Sequence, residues 1–186
     1  GDELAVGAIG GAGSVTLFER NDGGWRARAG FEVAGGVEGD WFGSAVDLDG
    51  DTLAVSAPFE DGGALDSGAV YVYRRSGQAW ELEARLTATP PEVDENLGWR
   101  WRVALEGDTL AVGSYKRGGR GAVWIFERVD GVWGAGELLR AETTDTDETG
   151  GEPEQFLGMN YRSMVEVAEI TSHEKLAAWL REMLEG

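Results

Sequence analysis

The chain has 186 residues, with 16 Lys and Arg against 34 Asp and Glu, so its formal net charge is −18 at neutral pH. A field of that sign repels nucleic acid and anionic membrane, and no apolar run reaches the roughly 18 residues needed to cross a bilayer as a helix. The absence of cysteine excludes a disulfide framework and thiol chemistry. Thirty glycines, 42% hydrophobic residues and eight tryptophans point to short strands and tight turns rather than disorder.

In chain order, the first pattern is Gly-Asp-Glu-Leu-Ala-Val at 1–6, which returns as Gly-Asp-Thr-Leu-Ala-Val at 50–55 and 107–112. The second is Gly-(Ser/Ala)-Val followed by apolar and aromatic residues, starting at Gly13, Gly68 and Gly121. A tryptophan then closes each unit, at Trp25, Trp80 and Trp133. Recurrence near 50 residues signals stacked copies of one supersecondary unit. The chain opens inside such a unit without an initiator methionine, so it is expected to be a mature or trimmed segment of something longer.

Each unit divides into four strand-sized pieces. Val46-Asp47-Leu48 (Val103-Ala104-Leu105 in the next copy) leads through an acidic Asp-Gly turn into Leu53-Ala54-Val55-Ser56-Ala57, whose apolar and small residues suit burial on both faces. Val70-Tyr71-Val72-Tyr73 comes third, matched by Val15-Thr16-Leu17-Phe18 and Val123-Trp124-Ile125-Phe126. Alternation sends the aromatics to one face. In the fourth piece Trp80, Leu82, Ala84 and Leu86 alternate with Glu81, Glu83 and Arg85, and charge at every second position protects a sheet edge. The expectation is all-β: three four-stranded antiparallel meanders over 1–34, 35–88 and 89–141, stacked as β-propeller blades.

Phe42-Gly43 followed by Ser56-Ala57-Pro58, with GDTLAVSAP, SGAVYVYRRSG and WELEARLTAT around them, resembles the FG-GAP repeat of integrin-α-type propellers in its bacterial form. The resemblance covers about residues 1–141 and implies a non-catalytic binding or adhesion module at the cell surface or outside the cell. The third unit departs from it, with Leu97-Gly98 for Phe-Gly and Gly113-Ser114-Tyr115 for Gly-Ala-Pro. It also carries two extra residues within Trp99-Arg100-Trp101-Arg102. Beyond Ala141 the pattern ends. Glu142–Glu154 reads as an acidic loop or linker within 142–155. Within 156–186, Ser163–Val167 reads as a possible extra strand. Thr171-Ser172-His173-Glu174 reads as a capping box that opens a C-terminal amphipathic α-helix bearing Leu176, Trp179, Leu180, Met183 and Leu184.

Two clusters suggest chemistry. Asp47, Asp49 and Asp51 raise a calcium reading, because hard cations take clustered carboxylates. The loop is short for a cage and its third-unit counterpart lacks two of the acids, so a plain hairpin turn is the preferred reading and calcium the alternative. Integrin-like topology would also put the loop holding Glu60, Asp61 and Asp66 on one face with the loops between units. That face is acidic except for Lys116, Arg117 and Arg120. A basic spot near Trp99, Arg100, Trp101 and Arg102 is the candidate contact surface for a protein or glycan ligand, against the plainer reading that these side chains stack and cover the core edge. The sole histidine, His173, has no nucleophile beside it, so no catalytic constellation is expected and no cofactor beyond the calcium alternative. A self-assembling structural protein is the rival function, with a carbohydrate-acting propeller enzyme third. On the rival reading two chains close a six-bladed ring, or the missing blades come from elsewhere, with Met164–Val167 as a closing strand.

Overall fold

The computed structural model describes residues 2–31, 36–100, 102–117 and 121–140, and the expected linker, extra strand and C-terminal helix lie outside them. The described chain is all-β, in three consecutive antiparallel sheets. The first holds β1 (Glu3–Ala8), β2 (Ser14–Asn21) and β3 (Gly24–Phe31). The second is a complete meander of β4 (Val46–Asp49), β5 (Thr52–Ala57), β6 (Ala69–Ser76) and β7 (Ala79–Leu86). The third holds β8 (Val103–Glu106), β9 (Thr109–Ser114), β10 (Ala122–Val129) and two short pieces, β11 (Val132–Trp133) and β12 (Glu137–Leu139), that both pair with β10.

The expectation of three identical four-stranded sheets therefore needs two corrections. Among the described residues the first sheet has three strands, because its sequence begins at the second strand of the pattern. In the third sheet the outer strand is broken at Gly134-Ala135-Gly136, where the second sheet has Glu81-Leu82-Glu83. All three outer strands have an irregularity at the same place. Leu17 pairs Ala29 while Phe18 pairs Ala27, and Val72 pairs Ala84 while Tyr73 pairs Leu82, so Arg28 and Glu83 are bulged out of the ladder. Gly136 holds that position in the third sheet. A Cβ there would stand 2.7 Å from the Phe126 ring and 2.8 Å from that of Trp124, so glycine leaves room for two large aromatics.

The core lies between the sheets. Val15 and Leu17 of the first sheet pack with Phe42, Leu53, Val55, Tyr71 and Tyr73 of the second. The opposite face of the second sheet, with Ala54, Val70, Val72 and Leu86, packs with Leu110, Val112, Trp124, Phe126 and Trp133 of the third. All of β5 is buried, as its small apolar residues on both faces require. The Phe-Gly signature is the point of closest approach between sheets. Phe42 is fully buried and meets Tyr71 edge to face at 5.5 Å, while Gly43 (φ 90°) runs so close to the first sheet that a Cβ would lie 2.6 Å from the Ser14 carbonyl oxygen. Leu97 and Gly98 repeat this against the second sheet, where a Cβ on Gly98 would lie 2.6 Å from that of Ser56. No side chain fits at either glycine.

Charged groups close the same seams. Arg75 and Arg128 occupy one register position, each opposite the closing tryptophan of its own sheet. Arg75 lies over Trp80, bridges Asp51 of its own hairpin at 2.9 Å, and reaches Glu3 in the first sheet. Arg128 lies over Trp133, bridges Asp108 at 2.6 Å, and reaches the bulged Glu83 of the second sheet at 2.9 Å; the Trp133 indole donates to that same carboxylate at 3.0 Å. Arg20 holds the equivalent place opposite Trp25 in the first sheet.

The three tryptophans thus share a register but not a burial. Trp25 is 46% exposed, Trp80 half-buried and Trp133 9% exposed, because the second and third sheets each pack on the preceding sheet on that side, whereas among the described residues none packs there on the first. Trp133→Ala is expected to cost about 3–5 kcal/mol as a core truncation, Trp80→Ala less, and Trp25→Ala under about 1 kcal/mol. Urea melts of the three variants check the order, and equal costs would disprove the seam assignment.

Candidate functional site

An uninterrupted row of aromatic side chains crosses the seam between the second and third sheets. Trp41 meets the edge of Phe59 at 4.8 Å between ring centroids, Phe59 meets Trp99 at 5.9 Å, and Trp99 meets Tyr115 at 4.6 Å. Interplanar angles of 65–86° make every step edge to face, the arrangement that ring quadrupoles favour. Trp41 is 36% exposed, and Phe59, Trp99 and Tyr115 are half-buried, so each ring has one side packed and one side open. Two guanidinium groups lie on the row, Arg100 at 4.7 Å over Trp99 and Arg102 at 5.5 Å over Tyr115. Arg100 is exposed; Arg102 is partly buried, and that burial pulls its pKa below the ordinary guanidinium value.

Local sequence explains why these four rings converge. Trp41 precedes Phe42-Gly43 and Phe59 follows Ala57-Pro58, so both sit where chain enters or leaves the buried seam. Trp41 itself has φ 58°, the left-handed region, as does Asn96 (φ 52°) at the same place in the next repeat. Gly98 N–H donates to the Gly113 carbonyl at 2.8 Å and Gly113 N–H to the Arg102 carbonyl at 2.8 Å, matching Gly43 and Ala45 about Ser56 in the second sheet. Register is therefore kept on both sides of the two extra residues. Trp99 N–H donates to the Asn96 carbonyl at 3.1 Å as Ser44 N–H does to that of Trp41 at 3.0 Å, so Trp99 takes the place of Ser44 and stands between Phe59 and Tyr115. Arg100, which follows it, adopts φ 56°.

Of the seven side chains singled out in the sequence, Trp99, Arg100 and Arg102 meet in this row, Lys116 is exposed beside it, and Trp101 and Arg120 lie outside the described residues. Arg117 has to be removed from the contact surface. It is 4% exposed, donates to the Pro90 carbonyl at 2.6 Å and to the Glu95 carboxylate at 2.8 Å, and lies over the Trp124 ring at 5.1 Å. Glu95 is fully buried. It accepts four further or shared bonds that hold it in place: from Arg117, from Ser114 Oγ at 3.1 Å, from the Trp124 indole at 2.8 Å and from Glu92 N–H at 3.0 Å. A buried carboxylate demands a cation, and Arg117 is spent on it. Trp41, Phe59 and Tyr115 escaped sequence reasoning, although each flanks a Phe-Gly or Ala-Pro position.

The acidic triplet is likewise committed to the fold. Asp47 accepts from the N–H of Leu105 at 2.7 Å and from that of Leu48 at 2.9 Å, and Asp49 accepts from Gly107 N–H at 2.7 Å, so two carboxylates tie the second sheet to the third. Asp51 is held by Arg75. Burial pushes the Asp47 carboxyl above the ordinary carboxylate value, against the lowering effect of its two N–H donors. Among the described residues no group of three or more His, Cys, Asp or Glu side chains converges on a metal-sized space. In the neighbouring loop Glu60 accepts from Tyr71 Oη at 2.6 Å and from Arg85 Nε at 2.8 Å, and burial together with that carboxylate pushes the Tyr71 hydroxyl up to about 12.

Successive antiparallel sheets that share one seam geometry, with a Phe-Gly or Leu-Gly step at each, define a protein of propeller-like repeats. The chain belongs to the FG-GAP repeat family, whose model matches residues 25–73 and 80–126, more than half of its length. Each match runs from a closing tryptophan, Trp25 or Trp80, into the aromatic strand of the next sheet, so the family's unit spans a seam rather than a single sheet. No curated protein matches the chain.

Arg117→Ala leaves the Glu95 charge buried and uncompensated, and is expected to lower stability by about 3–5 kcal/mol. Calorimetry checks it, with Lys116→Ala as the exposed control within about 0.5 kcal/mol of the parent. Asp47→Ala strands the Leu105 N–H and should cost about 1–3 kcal/mol. Millimolar calcium should leave the parent's melting temperature unchanged, because the oxygens it needs already accept protein hydrogen bonds. A saturating ion at 100 times its Kd would add about 2.7 kcal/mol, so a rise of several degrees that is lost in Asp49→Ala would contradict this.

Proposed function

We propose that the chain is a non-catalytic binding or adhesion module, acting at the cell surface or outside the cell, and that it holds a protein or glycan ligand on the row Trp41–Phe59–Trp99–Tyr115. One observation carries the reading: four contiguous rings stay partly open to solvent, and one of them, Trp99, stands where the second repeat has Ser44. Tryptophan, tyrosine and arginine supply large contact area at low conformational cost, which is why they dominate binding hot spots. Arg100 and Arg102 add positive charge to a chain of net charge −18, so the row is a local exception in a repulsive field. Ligand classes compatible with the row present apolar sugar faces or aliphatic side chains to the rings and carboxylates to the guanidiniums.

The test is binding of the labelled chain to arrays of glycans and of purified cell-surface proteins, with Trp99→Ala and Arg100→Ala in parallel. Loss of about tenfold or more in affinity for the parent's partner is expected in Trp99→Ala, with a smaller loss in Arg100→Ala. Full affinity in both variants would remove the row from the function. A turnover abolished by a single carboxylate substitution would replace the binding reading with an enzymatic one.

A further inference from the structure

Four replacements between the second and third repeats meet at one end of the aromatic row. Backbone hydrogen bonds align Trp99 with Ser44, Arg102 with Ala45 and Gly113 with Ser56, and Tyr115 stands where the second repeat has Pro58. In the second repeat Ala45 and Ser56 are buried, and Ala45 N–H donates to Ser56 Oγ at 2.9 Å. In the third, glycine makes room for arginine: a Cβ on Gly113 would stand 2.8 Å from both Cβ and Cδ of Arg102. The Arg102 stem therefore lies along the Gly113 backbone, which fixes where its guanidinium emerges.

That guanidinium differs from those of the other unexposed arginines. Arg75 holds Glu3 and Asp51, Arg117 holds Glu92 and Glu95, and Arg128 holds Glu83 and Asp108. Arg102 holds no carboxylate among the described residues, in a chain with 34 acids to 16 bases, and the charge beside it is that of Arg100. Arg100 is itself strained. Of the six described non-glycine residues in the left-handed region, Asp66, Asp94, Asn96 and Asp130 are of types that tolerate it. The other two are Trp41 and Arg100, and both lie on the row. Such strain persists where the identity of the side chain serves a site rather than the fold.

Resting on the binding reading of the row, and narrowing it, we propose that Arg100 and Arg102 form an anion subsite that takes the carboxylate of an acidic sugar in an otherwise neutral glycan. Two neighbouring guanidiniums suit the two oxygens of a carboxylate. They lie 4.7 Å from the Trp99 centroid and 5.5 Å from that of Tyr115, so the anionic and the apolar contact have to come from one small unit. A carboxylated sugar carries its charge directly on a ring with an apolar face. An aspartate or glutamate side chain offers little apolar surface beside its charge. The net charge of −18 repels polyanions, which favours a single acid on a neutral chain.

Calorimetric titration of the full chain with monocarboxylated oligosaccharides, each beside its neutral parent, tests the proposal: sialyllactose against lactose, and cellobiouronic acid against cellobiose. A blocked tripeptide with a central glutamate is the protein-like arm. The expected result is an acidic sugar bound about tenfold or more tighter than its neutral parent, with that gain abolished in Arg102→Gln and reduced in Arg100→Gly. Without ligand, Arg102→Gln should melt no lower than the parent, and Arg100→Gly about 2–4 °C higher as the left-handed strain is relieved. Equal affinity within every pair overturns the proposal, as does tighter binding of the peptide than of every acidic sugar. A lower melting temperature in either variant overturns it too, because the chain's own groups, those outside the described residues included, would then already engage the guanidinium. A partner whose binding falls in Trp99→Ala but not in Arg102→Gln keeps the row as the binding surface and removes only the anion subsite. No binding in any arm, with array partners indifferent to Trp99→Ala, removes the row and the subsite with it.

Discussion

A sheet that carries apolar side chains on both faces has no stable place in water, and this constraint governs the molecule. The middle sheet satisfies it on both sides, with Val55 and Tyr71 toward the first sheet and Val70 and Val72 toward the third. That packing is possible only because the backbones approach closely where one sheet begins against the last. Gly43 and Gly98 sit at that approach with positive φ and no room for a Cβ, and Phe42 and Leu97 before them fill the seam they open. The Phe-Gly signature is in this sense a statement about the contact between two sheets, which is why the family match straddles them.

Charge follows the same geometry. The chain has many more carboxylates than cations, and several of those carboxylates act as hydrogen-bond acceptors across seams rather than as partners for solvent ions. Asp47 and Asp49 take backbone N–H groups of the third sheet, Glu83 takes both Arg128 and the Trp133 indole, and Glu95 is buried among Arg117, Ser114 and Trp124. A buried carboxylate is tolerated only when its oxygens are fully engaged, so such groups fix how the sheets are set against one another more than they add to stability. The bulge that ejects Glu83 from the β7 ladder is what aims it at the next sheet.

The open aromatic row is a by-product of that architecture, and on the proposed reading it is the surface that binds. Residues that flank a seam are held rigidly by it yet face outward, so Trp41 and Phe59 gain fixed positions at little entropic cost. Trp99, in the place of Ser44, then extends the row, and the two extra residues after it leave the register of β8 and β9 unshifted. A rigid scaffold with variation confined to its loops is the usual way a repeat fold acquires a binding surface.

The repeat, the all-β class, the strand alternation and the family were legible in the sequence, because they rest on local periodicity and on glycine and tryptophan spacing that the chain states three times over. So was the two-residue insertion. Partner choice was not legible. Nothing in the sequence separates Arg117, which is buried against Glu95, from Arg100, which lies open on Trp99, since both are basic residues in loops near tryptophan. The hairpin acids offered the same ambiguity between a turn, a metal cage and a seam. Only the neighbouring sheet decides it, by bringing the N–H groups of Leu105 and Gly107, 58 residues away in the chain, onto the Asp47 and Asp49 carboxylates. Trp25, Trp80 and Trp133 are equivalent in sequence and register, and their different burial reflects whether another sheet lies beside them, a property that no local pattern encodes.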